Sequence, residues 1–501
     1  MNLAQDARAT TRPVARNLNT SFNQSGPVER WPELTPVDQR GRVLKFLDRV
    51  IFYGLIVIIV LTAIPYGSPE SWSKALFESA VFLLTLLWIV HGLMDGSWRV
   101  GSPRLIAPMV GLLVLAAVQS VAWRQVDIAG EKVWFALSSD PFQTRVFAFR
   151  IATLILVMGL IVRFTSSAKR LGVLVHAIIA LALADVLFGI ARQATQHGPR
   201  APAFVLPELL PNIGYAQFIN RNHFAFLMEM ALGLVIGIVL MQKGRMDRLL
   251  VYLSSVVLMW AAVGLSQSRG GVLAITVQVI CAALLFVNFR ASTTVSLTAG
   301  PWWARWARNL VVTIIISGAL LVIIVTGVAW LGGDQLATGV ETATAEMSGV
   351  DPSEQRLSAR RHDIWRATWL MFKAHPIAGA GLGAFWAEVP VVHGGSGAIT
   401  PQEAHNDYLE LLASGGILGA ALLVWFAVEL IRKARHSIKT SEGFQRAVSF
   451  GAIIGLVGVG VHSIVEFGLH ITINALVFVL LVAILSLQSF GPQVVTRRGA
   501  R

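Results

Sequence analysis

The chain has 501 residues, of which 55% are hydrophobic and only 14% are charged. Because soluble domains are roughly 45–50% apolar, this composition excludes an ordinary soluble protein and indicates a polytopic membrane protein. The chain has one cysteine, Cys281, which lies within an apolar run. A single cysteine excludes an intrachain disulfide and a cysteine metal cluster.

The formal net charge is +13, but most Lys and Arg residues lie in short links between apolar runs. We interpret them as orientation signals and as contacts with membrane lipids, so we expect no nucleic-acid partner. Residues 1–45 begin with a polar, basic stretch that lacks the apolar core of a signal peptide. We expect them to form a mostly disordered cytoplasmic tail.

Apolar runs long enough to cross a bilayer occur about twelve times, each of roughly 17–23 residues. Positive charge alternates between the successive links, which predicts that both chain termini are cytoplasmic. The predicted spans are 46–64, 75–93, 105–122, 146–163, 171–191, 223–242, 248–266, 270–289, 309–331, 408–431, 446–463 and 472–489.

The expected fold class is therefore all-α, a polytopic membrane helix bundle of about twelve transmembrane helices. Residues 46–331 would form the first nine helices, 332–407 a long loop on the outer face, and 408–489 the last three. Residues 490–501 would be a second cytoplasmic tail. In the loop, apolar and aromatic residues recur at helical spacing and predict an amphipathic helix on the outer membrane surface. These residues are Ile364, Trp365, Thr368, Trp369, Met371 and Phe372.

Two arginines at the outer ends of apolar runs are candidate anion ligands. Arg269 lies between two such runs, where it would either reach lipid headgroups or bind phosphate through its paired donors. Arg361, with Arg360 beside it, is either a surface charge on the amphipathic helix or a second anion ligand. Two arginines facing one cavity would suit a diphosphate that gains charge as it leaves, without a metal.

His405 lies three residues before the tenth span. It is either a hydrogen-bonded structural residue or a group that holds or removes a hydroxyl proton. Asn406 and Asp407 could fix its ring. Alternatively, Asp407 and Glu410 could act as first-turn acids that favour the helix dipole.

Other polar residues flank the sixth span and the last outer link. Arg221 and Asn222 open the sixth span. A metal site at His462, Glu466 and His470 would fit a helical spacing, but no sharper signature supports it, and we expect no metal.

Three alternating glycines, Gly379, Gly381 and Gly383, lie between the two candidate groups. They follow a helical pattern, not a strand, so they do not predict a dinucleotide-binding fold. We expect a tight backbone approach or a hinge at this point.

Five motifs, each weak alone, occur in an order and membrane placement that resemble the O-antigen ligase and polymerase superfamily. The resemblance covers residues from about 215 to 485. The motifs are Phe218 to Ala225, Ser268 to Gly271, Arg361 to Trp365 followed by Pro376 to Gly383, His405 to Leu409, and His462 to Ile471.

The resemblance implies an inner-membrane glycosyltransferase with a periplasmic active site in the long loop and no cofactor or metal. Its donor would be a glycan on undecaprenyl diphosphate, and its chemistry would be inverting. A ligase would use a lipid A-core or other glycan acceptor in lipopolysaccharide or surface polysaccharide biosynthesis, alongside other polysaccharide-assembly proteins. A polymerase would extend lipid-linked O-antigen or exopolysaccharide units. The family's roles map onto Arg269, Arg361 and His405 as catalytic residues. We further expect five residues to bind substrate: Arg360, Arg221, Asn222, Asn406 and Asp407.

A transporter of a lipid-linked or anionic solute would also fit a dozen helices. Transporters, however, place their binding residues near the bilayer midplane and often contain internal repeats. Here the polar residues cluster at one face, and no symmetry between two halves is evident. We therefore expect an enzyme, with ligase-like chemistry preferred and a polymerase as the alternative.

Overall fold

A computed structural model describes residues 36–97, 103–128, 130–195, 214–241, 246–293, 361–392 and 401–490. In these ranges, ten helices are long and apolar enough to cross a membrane. The molecule is a polytopic helical membrane protein. The predicted span 309–331 lies outside the described residues, as do Arg360 and most of the predicted outer loop before it.

Eleven of the predicted spans coincide with a described helix. The α-helices of the described ranges are α1 (Pro36–Ala63), α2 (Ser71–Asp95), α3 (Pro103–Ser120), α4 (Pro141–Phe164), α5 (Ala168–Thr195), α6 (Arg221–Met241), α7 (Met246–Leu265), α8 (Arg269–Thr293), α9 (Arg361–Ala374), α10 (Phe385–Val392), α11 (Asp407–Thr440), α12 (Gly443–His462) and α13 (Thr472–Ser486).

The link between α3 and α4 contains an antiparallel hairpin that the sequence pattern did not predict. Strand β1 (Ala122–Ile128) pairs with β2 (Glu131–Ala136), and Gly130 has a φ of 87° in the turn between them. Most side chains of this hairpin are exposed. The bundle is all-α as expected, but this link is not. Short, half-polar strands give a much weaker sequence signal than a long apolar run.

The centre of the bundle is formed by α6 and α12, whose backbones touch through glycines. A Cβ added at Gly233 would lie 2.4 Å from the Gly455 nitrogen, and one added at Gly237 would lie 2.4 Å from the Gly451 nitrogen. Small residues four apart allow such close helix packing in membranes. This contact holds the start of α6 beside the end of α12, where the polar residues of the two helices meet.

The alternating glycines form the tight backbone approach that their spacing predicts. Gly379, Gly381 and Gly383 all have positive φ values, between 74° and 117°. The Ile417 N–H donates to the Pro376 carbonyl at 2.9 Å. These contacts fix the chain after α9 against the first turns of α11.

The amphipathic helix is present as α9, but its apolar face is divided. Ile364 and Met371 are buried in a cluster with residues of α10 and α11, whereas Trp369 remains 44% exposed. Much of the predicted membrane-facing surface therefore packs on protein, because α10 and α11 cover it. Contact between α9 and the membrane surface stays a prediction.

Candidate functional site

A buried carboxylate, Glu466, lies where α6, α8 and α11 begin and α12 ends. Its side chain is only 1% exposed, and its Oε1 accepts hydrogen bonds from Arg361 and, at 2.6 Å, from Asn222 Nδ2. Its Oε2 lies 3.1 Å from His405 Nδ1. Burial alone would raise the pKa of Glu466, but the hydrogen bond from His405 and the charge of Arg361 hold it below its usual value. Glu466 is therefore an anion at neutral pH that joins three chain segments.

Helix α9 brings Arg361 to this carboxylate. Trp365, one turn after Arg361, donates from Nε1 to the Ala404 carbonyl at 3.0 Å and so ties α9 to the residue before His405. The Arg361 side chain is 48% exposed. A guanidinium carries five N–H donors, so Arg361 can hold Glu466 and still offer donors to a second anion.

His405 has a φ of 51°, in the left-handed region that residues other than glycine rarely adopt. Backbone contacts on either side impose this conformation. The Ala404 N–H donates to Glu410 Oε2 at 2.8 Å, and the Asp407 N–H donates to the Ser463 carbonyl at 3.0 Å. The His405 side chain is 31% exposed. Its imidazole is therefore oriented by the protein but still accessible to a substrate.

The network continues from Glu466 to the start of α8. Ser268 Oγ donates to Asn222 Oδ1 at 2.8 Å and also accepts from the Gly271 N–H at 3.1 Å. Arg269, the first residue of α8, is exposed and lies next to Ser268 in the chain. Arg221, which begins α6, donates to Gln267 Oε1 at 3.4 Å. The structure thus brings the predicted residues of α6, α8 and α9 to one end of the bundle.

Two predicted substrate-binding residues are engaged in folding contacts. Asn406 is the N-cap of α11, and its Oδ1 accepts from the Leu409 N–H at 2.9 Å. Asp407 Oδ2 accepts from Ser463 Oγ at 2.7 Å. Asn406 thus caps α11, and Asp407 ties the first turn of α11 to the end of α12. Their contact with substrate stays a prediction.

The trio considered for a metal is not assembled. His462 Nδ1 lies 2.7 Å from Glu229 Oε1, with both side chains fully buried, while Glu466 faces His405. His470 lies in a separate 3₁₀ turn, Gly468–His470, and faces other acids. The helical spacing read from the sequence fails because α12 ends at His462.

A second charged cluster surrounds His470. Its Nδ1 is 3.1 Å from Glu403 Oε2, and its Nε2 is 3.5 Å from Glu410 Oε1. Burial alone would lower the pKa of His470, but the two carboxylates raise it to about 10. The ligand atoms of these three residues lie within 4.8 Å of one another, a spacing that a metal ion could use. A protonated imidazole between these acids forms ion pairs with them, and metal-independent chemistry stays a prediction.

Sequence reasoning did not assign Glu466 to the active site. It is the only acidic residue between residues 446 and 489. Placing a lone carboxylate in an apolar run costs free energy unless it has a partner. This cost is the signal that could have identified Glu466.

A family model described as O-antigen ligase matches residues 254–424. Residues 254–424 are therefore similar to the O-antigen ligase family, and this match supports the O-antigen ligase superfamily. No curated protein matches the sequence. The match covers Arg269, Arg361 and His405, and it confirms the resemblance seen in the motifs. Together with the membrane helices, the match supports a membrane enzyme of the glycan-transferring ligase and polymerase type.

Two residues of the network lie outside the matched region. Asn222 precedes residue 254 and Glu466 follows residue 424. The three-dimensional fold, rather than the matched segment alone, therefore completes the environment of His405 and Arg361.

Proposed function

We propose that the enzyme transfers a glycan from an undecaprenyl-diphosphate donor to a sugar hydroxyl at the periplasmic face, in the manner of an O-antigen ligase. The acceptor would be a lipid A-core sugar or another glycan. The observation that carries this proposal is the attachment of His405 and Arg361 to one buried carboxylate. Glu466 lies 61 residues after His405 and 105 residues after Arg361, so the fold brings a candidate base and a candidate phosphate ligand together.

The reaction we propose is a direct displacement at the anomeric carbon. The acceptor oxygen forms a bond to that carbon while the bond between the carbon and the diphosphate oxygen breaks. The bonding electrons leave with the diphosphate. The hydroxyl proton passes to the imidazole of His405, which acts as the general base. A single displacement inverts the anomeric configuration.

The leaving diphosphate would be held by arginines. Arg361 is half exposed and projects from the end of α9 that meets His405. Arg269 begins α8, and a helix N-terminus favours anions because its first backbone N–H groups lack helical partners. Fixed donors that meet the developing charge lower the barrier, and they supply this stabilisation without a nucleotide or a metal.

Transfer by the purified, reconstituted protein tests this proposal. The substrates are an undecaprenyl-diphosphate-linked oligosaccharide with and without a lipid A-core acceptor, and products are separated on a gel. We expect one shifted species that requires the core acceptor, formed equally well in EDTA. A ladder from donor alone would replace the ligase assignment with a polymerase.

Two further readouts address the chemistry. The anomeric configuration of the product, read by NMR, should be opposite to that of the donor. Loss of transfer in EDTA that Mg²⁺ restores would contradict metal independence and point to the His470 cluster. No product from folded protein under any condition would overturn the proposed function and favour a transporter.

A further inference from the structure

Glu466 contacts two groups with different roles in the proposed reaction: His405, the candidate base, and Arg361, the candidate diphosphate ligand. Its Oε2 lies 3.1 Å from His405 Nδ1, and its Oε1 accepts from Arg361. Asn222 supplies a third, uncharged contact at 2.6 Å. The carboxylate therefore divides its charge between the candidate base and the candidate diphosphate ligand.

The contact with His405 selects a tautomer. A carboxylate oxygen beside Nδ1 can only accept, so Nδ1 carries the proton in the neutral ring. The lone pair of the imidazole is then on Nε2. This nitrogen is the one that can take the proton of an acceptor hydroxyl, as in other sites where a carboxylate orients a basic histidine.

The contact with Arg361 weakens this effect in the absence of donor, because the guanidinium neutralises part of the charge of Glu466. The Glu466 side chain is 1% exposed, whereas that of Arg361 is 48% exposed. Arg361 is thus the partner that solvent and substrate can reach. A diphosphate bound to Arg361 adds negative charge there and offsets the neutralisation.

We propose that Glu466 is a positioning residue that couples donor binding to activation of His405. When the donor diphosphate engages Arg361, more of the Glu466 charge acts on His405, and the imidazole becomes a stronger proton acceptor. The acceptor hydroxyl is then deprotonated efficiently only when a donor is present. This inference rests on the proposed function. It adds an order of events, in which the donor binds before His405 is activated.

Other titratable groups also face this pair from the surrounding elements. Each is present in every variant compared below, so their contributions cancel in the comparison. They are His223 on α6 and Asp407 at the start of α11, while His462 at the end of α12 and His470 in the 3₁₀ turn interact with His223.

The first test is the pH dependence of transfer in the Glu466→Gln protein at saturating donor. We expect kcat to fall by about 100-fold because the base loses its orienting anion, with a much smaller change in donor KM. Removal of the negative charge makes the protonated imidazole easier to deprotonate. The acid limb of the kcat profile should therefore move to lower pH by roughly one unit. A uniform loss with an unmoved acid limb would assign Glu466 a structural role and overturn the proposal.

The chain offers a matched control in another Glu–His pair. His375 Nε2 lies 3.1 Å from Glu388 Oε1, and Ser139 Oγ donates to the other oxygen of Glu388 at 2.5 Å. This pair holds α10 near the start of α4 and lies outside the network of Glu466. The Glu388→Gln protein should keep the wild-type position of the acid limb, whatever its effect on thermal stability.

The second test measures the coupling without turnover and uses geranyl diphosphate as the probe. Calorimetry in buffers of different ionisation enthalpy counts the protons taken up on binding. Wild-type protein should take up more protons than His405→Gln protein. Glu466→Gln protein should take up fewer protons than wild type. Binding with equal uptake in all three proteins would overturn the coupling while leaving the proposed function in place. Absence of both binding and transfer in folded wild-type protein would overturn the proposed function itself.

Discussion

Replacement of Arg361 by Ala separates its proposed catalytic role from any role in folding. The Arg361 side chain is 48% exposed but Glu466 is 1% exposed, so loss of the guanidinium should cost about 1–2 kcal/mol of stability. Glu466 would keep its contacts with His405 and Asn222. The protein should therefore stay folded, with a modest decrease in the free energy of unfolding.

The effect on transfer should be much larger. Loss of one fixed donor to a developing anion typically costs about 10²–10³ in kcat, or roughly 2.7–4 kcal/mol of activation free energy. We expect Arg361→Ala to lose transfer to this extent. Arg361→Lys should recover only part of the rate, because an ammonium keeps the charge but lacks the planar paired donors.

The assay is transfer to the core acceptor by reconstituted protein, with thermal unfolding followed by tryptophan fluorescence on the same samples. Arg366 provides the control, since it is exposed on the same helix and lies outside the Glu466 network. Arg366→Ala should retain wild-type transfer. If Arg361→Ala retained it as well, Arg361 would not be a diphosphate ligand.

The other predictions concern the candidate base His405, the kink that Gly416 introduces in α11, and the His470 cluster. His405→Ala should lose transfer by about 10²-fold or more, and wild-type turnover of this variant from pH 6 to 8 would refute the base role. Gly416→Ala should destabilise the protein by about 1–3 kcal/mol, because its φ is 63° and a Cβ would lie 2.3 Å from the Ile377 carbonyl oxygen. Gly419→Ala should be tolerated, since its Cβ would find only ordinary contacts of 3.4 Å or more, and equal unfolding temperatures for the two variants would contradict this reasoning. The pKa of His470 is raised from 6.5 to about 10, so its stabilisation is complete below pH 6.5 and is lost as pH rises towards 10. The unfolding temperature of His470→Gln should consequently fall less between pH 7 and 10 than that of wild type, and parallel curves would refute this assignment.

The bundle was largely predictable because long apolar runs have few alternatives in a membrane chain. The runs at 223–242 and 446–463, for example, became α6 and α12 with shifts of a few residues. The alternating glycines were also readable, since positive φ and close backbone contact both favour glycine. The hairpin β1–β2 was missed because strands of six or seven residues give a weak periodic signal.

The site was predictable only in part. Arg361 and His405 stood out as polar residues at the ends of apolar segments, and the family resemblance assigned their roles. Their common partner could not be predicted, because Glu466 lies in another link and meets them only after α6 and α12 have packed. The shared helical spacing of His462 and Glu466 even suggested a different site. Pair distances between remote links are set by tertiary packing, which one sequence pattern does not encode.

The order of the network along the chain has a consequence for biogenesis. A ribosome delivers Asn222 first, then Ser268, Arg361 and His405, and only near the end Glu466, the residue that joins them. A partly inserted chain can therefore expose its arginines and histidine at the membrane without the carboxylate that joins them. The contacts of Glu466 form only when α12 and the link after it have entered the bundle, so under the proposed function a chain that lacks this link should not transfer glycan.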